Sequence, residues 1–185
     1  MEDAILNDPR LAFVILILLS LADMILGPSI RKFNIRHQSE FFEYGSRRFS
    51  RPGRGAIAYC AFLLLRISPA FLLLLIWAAA VTSDSPGPVS LYRTALGFSL
   101  SLFLVINLRH MESLLITLLI KSRSRNLSGK IVLGKEFPLG QSAIQLFTLF
   151  IILVLVALMK FQPFYFGAAG APLLLIIRNL ILMRR

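Results

Sequence analysis

Five charged side chains stand inside apolar runs of this chain: Asp23, Arg66, Arg109, Glu112 and Arg178. A charge at the centre of a membrane helix costs roughly 2.5–3.5 kcal/mol on insertion scales, so such residues usually face protein groups and mark a site. Arg109 and Glu112 are three apart and can pair along one helix face. His110 points about 100° away from Arg109 and should meet a different neighbour. Asp23 is the obvious partner for Arg66 or Arg178. Three arginines against two carboxylates leave one positive charge over. The planar fork of arginine binds phosphate through two parallel hydrogen bonds. Arg66, Arg109 and Arg178 are therefore the candidate anion or lipid-phosphate site, and Asp23, Asn107, His110, Glu112 and Gln145 form the candidate polar network around it.

Other chemistry has weaker support. His37 and Glu40 are three apart, with Glu43 beyond, and His110 precedes Glu112 by two. Two histidines with carboxylates can build a metal site, which would make the chain a metal-dependent membrane enzyme. The two histidines lie in separate segments, however, and there is no His-Glu-x-x-His. No Gly-x-Ser-x-Gly is present, and Gly134-Lys135-Glu136 lacks the rest of a phosphate-binding loop. The single cysteine, Cys60, sits in an apolar run, which excludes a cysteine-built metal centre. No catalytic residue, metal or cofactor is assigned.

The elements that must position these groups follow from hydropathy. Of 185 residues, 57% are hydrophobic and 16% charged, and the mean hydropathy is +0.76. Those values exclude a soluble globular domain, a disordered chain and a disulfide scaffold. The apolar residues fall into five runs, at approximately 11–28, 56–81, 91–120, 142–160 and 164–183, each near the ~20 residues that cross ~30 Å of hydrocarbon. The expected fold is an all-α bundle of five transmembrane helices in a single domain, 1–185. Pro69 should break the second run mildly, and the first should end near Gly27-Pro28. The third run, about 45 Å as one helix, must tilt or project past the inner surface, where Ser113 to Ile120 would pack on an interfacial helix.

Lysine and arginine set the orientation. Fourteen lie in the segments between runs one and two, between runs three and four, and in the tail; three, Arg10, Arg93 and Lys160, lie on the other side. The positive-inside rule then places the N-terminus outside and the C-terminus in the cytoplasm. A net charge of +11 distributed in this way speaks for a membrane and against nucleic acid. In the first inner segment Phe33, His37, Phe41 and Tyr44 recur at near-helical spacing, which predicts a basic amphipathic helix on the inner leaflet. The second inner segment, 122–140, reads as irregular.

Depth along the runs places all five charges between the inner surface and about the midplane, with an almost wholly apolar outer half. Asp23, Arg66, Arg109 and Glu112 are expected to converge there. Gly167-Ala168-Ala169-Gly170-Ala171 lets helix backbones approach closely, within this chain before a dimer seam. Phe161, Phe164, Tyr165 and Phe166 form an outer aromatic belt, which Tyr92 should join. Five spans do not divide into inverted repeats. The expected role is a small, non-catalytic subunit or accessory of a larger complex in the plasma (inner) membrane, in contact with anionic lipids and other membrane subunits. A transporter, channel or lipid-handling protein using the arginine pocket is the alternative.

Overall fold

The structure, a computed structural model, describes residues 8–38, 42–44, 56–82, 85–122, 131–133 and 136–184; within these, the side chains of 31, 35, 37, 38, 42–44, 56–67, 131–133 and 136–138 are outside the description. Five helices dominate: α1 Pro9–Gln38, α2 Ala56–Thr82, α3 Pro86–Ser122, α4 Glu136–Lys160 and α5 Pro163–Arg184. Among the described residues α1, α3, α4 and α5 each contain a stretch long and apolar enough to cross a membrane, and Ser68–Thr82 of α2 is a shorter apolar stretch. Two short strands, β1 Phe42–Tyr44 and β2 Ile131–Leu133, pair in parallel with Phe42 opposite Ile131.

Local chemistry explains the helix ends. Asp8 caps α1, its carboxylate accepting from the Arg10 amide at 2.9 Å. Pro9, Pro86 and Pro163 open α1, α3 and α5, where the missing N–H is no loss. After α4, Phe161 turns the chain at φ 52°. Its amide donates to the Ala157 carbonyl at 2.8 Å, a left-handed helix stop that usually takes glycine. Phe161 and Gln162 alone then link α4 to α5.

The order of packing is α4, α5, α3, α1, with α2 laid mainly on α3 and less on α1. α1, α3 and α5 run one way, α2 and α4 the other, so the ends of α1, α3 and α5 lie at one end of the bundle. The tightest crossing joins α3 to α5. A Cβ on Gly97 would penetrate the Phe164 carbonyl, 2.8 Å from its carbon and 3.1 Å from the Ala168 amide nitrogen. A Cβ on Gly167 would do the same at Thr94, 2.7 Å from its carbonyl carbon. The small-residue run thus packs within the chain: Gly167, Ala168, Ala169 and Ala171 are buried.

Several expectations need correction. α1 does not end at Pro28; it continues ten residues beyond it to Gln38 with the proline inside. No separate amphipathic helix follows among the described residues: Phe33 and His37 lie on the end of α1, while Phe42–Tyr44 is extended. The second inner segment is not wholly irregular, since it holds β2. Tyr92 is no interface anchor; it is 6% exposed and sits in the core with Ala12, Leu16 and Leu96.

α3 is one unbroken helix of 37 residues, about 56 Å long at 1.5 Å per residue. Its C-terminal end packs on the last turns of α1, not on a separate interfacial helix. Thr117, 0% exposed, donates to Asn34 Oδ1 at 2.6 Å. The Asn34 amide donates to Ser113 Oγ at 2.6 Å, and Lys121 lies 5.8 Å from the Phe33 ring centre. Asn34→Leu removes both bonds and leaves the Thr117 hydroxyl its 2.9 Å bond to the Ser113 carbonyl, so at about 0.5–1.5 kcal/mol for each bond lost it should cost about 1–3 kcal/mol. Thermal unfolding of the detergent-solubilised protein would read this as a lowered midpoint, and an unchanged midpoint would show that the clamp contributes nothing.

Candidate functional site

Two faces of α3 carry the polar groups, and they look in different directions. Asn107 and His110, three apart, face α1. The Asn107 amide nitrogen donates to the Leu19 carbonyl at 2.9 Å and to Phe103 O of its own helix at 2.8 Å. His110 Nε2 lies 2.8 Å from Asp23 Oδ1. The Asp23 side chain is 0% exposed and that of His110 30%. Room for the ring comes from Gly27, four residues along α1 from Asp23: a Cβ there would stand 3.2 Å from His110 Nε2.

Arg109 and Glu112 face the other way, toward α4. Gln145 of α4 donates to Glu112 Oε1 at 2.7 Å. Both Glu112 and Arg178 lie within electrostatic reach of Arg109, Arg178 on an exposed part of α5. α3 and α4 both pack on α5 but barely touch each other. The space between them is a lateral groove of about 350 Å³. Val105, Leu108, Leu146 and Leu149 line one half of it and Arg109, Glu112 and Gln145 the other.

This divides the expected convergence. Asp23 meets His110, not Arg178, and Asp23 and Arg109 sit on opposite sides of α3. The Arg66 side chain is outside the described residues, as are His37, Glu40 and Glu43 of the candidate metal set. Among the described residues no three metal-binding side chains gather. The reason for the division is helical geometry: residues 107 and 110 share one face, and 109 and 112 share another about 160° round at 100° per residue. Sequence reasoning passed over Gly27, although a glycine one turn from a buried acid is a signal that a bulky group enters there.

The Gly97–Gly167 crossing sets the depth of the site. Arg109 lies twelve residues from Gly97 and Arg178 eleven from Gly167, so both stand ~17–18 Å from the crossing. Pro163 lies four residues on the other side. A length of ~30 Å, the thickness of a hydrocarbon core, counted from Pro163 ends near Glu112 and Ser113 of α3 and begins near Arg93. The remaining turns of α3 project beyond it, beside the end of α1. On that count Arg109 and Arg178 lie near the end of the span at which α1 and α3 continue, closer to it than the run lengths alone imply.

A second cavity, about 420 Å³, opens at the far end of the bundle between α1, α2 and α3. Phe13, Leu73, Trp77 and Leu96 make it apolar, with Arg10 at its rim. Trp77 is the chain's one tryptophan. Compared with protein-family models, with curated proteins and with solved structures, the chain matches none.

Proposed function

We propose that this protein is a non-catalytic subunit or accessory of a larger membrane assembly, with its basic end in the cytoplasm. One observation carries the reading: the links between the apolar runs are long after runs one and three, 27 and 21 residues, and short after runs two and four, nine and three. At the end of the long links α1 and α3 extend past the hydrocarbon as a stalk held by Asn34, Ser113 and Thr117. At the other end two-residue and three-residue links close the helices, Phe161–Gln162 and 83–85. A fixed stalk carrying Lys32, Arg36 and Lys121 on exposed positions presents charge without the entropy loss of ordering a loop, and it suits an acidic surface on a partner. The strong excess of lysine and arginine at that end supports the orientation. Plasma (inner) membrane residence belongs to the same proposal.

The test is photo-crosslinking in intact membranes. A benzophenone side chain at Leu115 or Leu119, exposed on the stalk, should give a discrete adduct of a mass other than two copies of this 20.7 kDa chain. The triple variant Lys32→Glu, Arg36→Glu, Lys121→Glu should lose it. Phe161, 78% exposed at the opposite end, serves as the comparison position. Adducts of equal strength at Phe161, or none at either stalk position, would overturn the proposal.

A further inference from the structure

The α3–α4 groove changes character along its length. On α3, Val105 and Leu108 lie toward the bilayer centre and Glu112 toward the basic end. On α4, which runs the opposite way, Leu149 and Leu146 lie toward the centre and Gln145 toward the basic end. Both walls are therefore apolar at depth and polar at the inner boundary. The groove opens sideways, because α5 holds α3 and α4 apart. A free anion would leave the apolar half wet; an acyl chain would fill it.

The charge at the polar half is unbalanced. Glu112 accepts from Gln145 at 2.7 Å, and Arg109 has Arg178 as well as Glu112 near it. Arg109 lines the groove with Glu112, and Arg178, exposed on α5, adds positive field from outside the lining. Gln145 spends one amide hydrogen on Glu112 and keeps a second to donate. Arg109 is within about 7 Å of the inner boundary by the helix count above, which its side chain spans by snorkelling.

We infer that this groove holds an anionic phospholipid of the leaflet at the basic end. Its phosphate diester lies on the Arg109 guanidinium, with Gln145 as second donor and Arg178 adding field. One acyl chain runs along Val105, Leu108 and Leu149. Arginine binds the two free phosphate oxygens bidentately, and the net positive balance selects a headgroup without its own cation. The inference stands apart from the proposed role of the stalk, since it uses none of the stalk residues.

Native mass spectrometry of the whole protein tests it, with phosphatidylglycerol and phosphatidylcholine of identical acyl chains offered in detergent. Phosphatidylglycerol should be retained at least about tenfold over phosphatidylcholine, as one charge-assisted bidentate contact provides. Arg109→Gln should abolish the preference and Arg109→Lys should weaken it. Glu112→Gln, which removes the competing carboxylate and still accepts from Gln145, should raise it. Arg93→Gln, at the other end, should leave it unchanged. Equal retention of the two lipids, or a preference that survives Arg109→Gln, would overturn the assignment. Should Arg109→Gln not fold, a Glu112→Gln variant with unchanged or lowered retention does so instead. Displacement of the lipid by millimolar inorganic phosphate would reassign the groove to a soluble anion and likewise sink the lipid.

Discussion

Gly97→Ala and Gly167→Ala should each separate α5 from α3, while Gly140→Ala changes almost nothing. The added methyl at 97 or 167 meets backbone, the Phe164 and Thr94 carbonyls respectively. A backbone carbonyl in a packed helix cannot rotate aside, so the helices must part. Overpacking ordinarily costs about 1–3 kcal/mol, and a clash with main chain belongs at or above the top of that range. α5 has most to lose, because α4 is held chiefly by packing on α5: moving α5 frees both. At Gly170 a Cβ would meet the edge of the Phe98 ring at 3.3 Å. A side chain can yield a few tenths of an ångström, so Gly170→Ala should cost less than about 1 kcal/mol. At Gly140 nothing lies within 4 Å, and the gain in helix propensity, up to about 1 kcal/mol, has no steric cost against it. Unfolding of the four variants in a denaturing detergent, followed by circular dichroism, should rank 97 and 167 far below 170, and 170 below 140. Loss of stability in all four alike would mean that glycine flexibility, not the close crossing, is what matters.

Much of the fold is legible in hydropathy because the bilayer removes alternatives. Irregular backbone cannot be satisfied in hydrocarbon, so a long apolar run has one solution. Four of the five runs coincide with helices of spanning length, and the fifth lies inside α2. The ends are less legible. Proline usually stops a soluble helix, and Gly27-Pro28 reads as a stop; α1 passes through it because Asn34 and Phe33 have partners on α3 further on. That reason is tertiary and leaves no local mark. Tyr92 misleads in the opposite sense. A tyrosine near a span end reads as an interface anchor, yet here Ala12 of α1 is small enough to let the ring be buried against that helix.

The site divides along the same line. That Arg109 and His110 part company follows from 100° per residue. Which helix each one meets depends on the rotation of α1 and α4 about their own axes, and the sequence of α3 is silent on that. Charge matching alone favoured an arginine for Asp23. Sterics chose differently: Gly27 opens a space on the Asp23 face of α1, and the imidazole of His110 enters it. The small-residue run at 167–171 was visible, but its counterpart, a lone Gly97 among bulky neighbours, acquires meaning only once the two are placed together.

The Asp23–His110 contact should prove the most strongly coupled pair in the bundle. Asp23 is fully enclosed, so its carboxylate depends on protein groups in place of water, and a polar group left short of a partner there is expensive. His110→Leu removes a 2.8 Å contact while leaving that carboxylate in place. A hydrogen bond to a charged group is worth about 1.5–3 kcal/mol net. His110→Leu should therefore cost about 1.5–3 kcal/mol. Asp23→Leu in the wild-type background removes the same contact from the other side. If the two groups act on each other, the double variant will not show the sum of the single losses; the cycle should close with a coupling of about 1–3 kcal/mol, the size found for groups in direct contact. Asn107→Leu combined with Arg109→Leu, on different faces of α3, should by contrast add to within about 0.5 kcal/mol. Gly27→Ala gives an independent reading, since its methyl would press on His110 Nε2 at 3.2 Å. It should weaken the protein that carries His110 and leave the His110→Leu protein nearly unaffected, because the group it crowds is gone. Additive losses for Asp23 and His110, together with a Gly27→Ala effect indifferent to residue 110, would show that the contact contributes no specific stability and that apolar packing, the Asn107–Leu19 bond and the Asn34 clamp hold α1 to α3 without it.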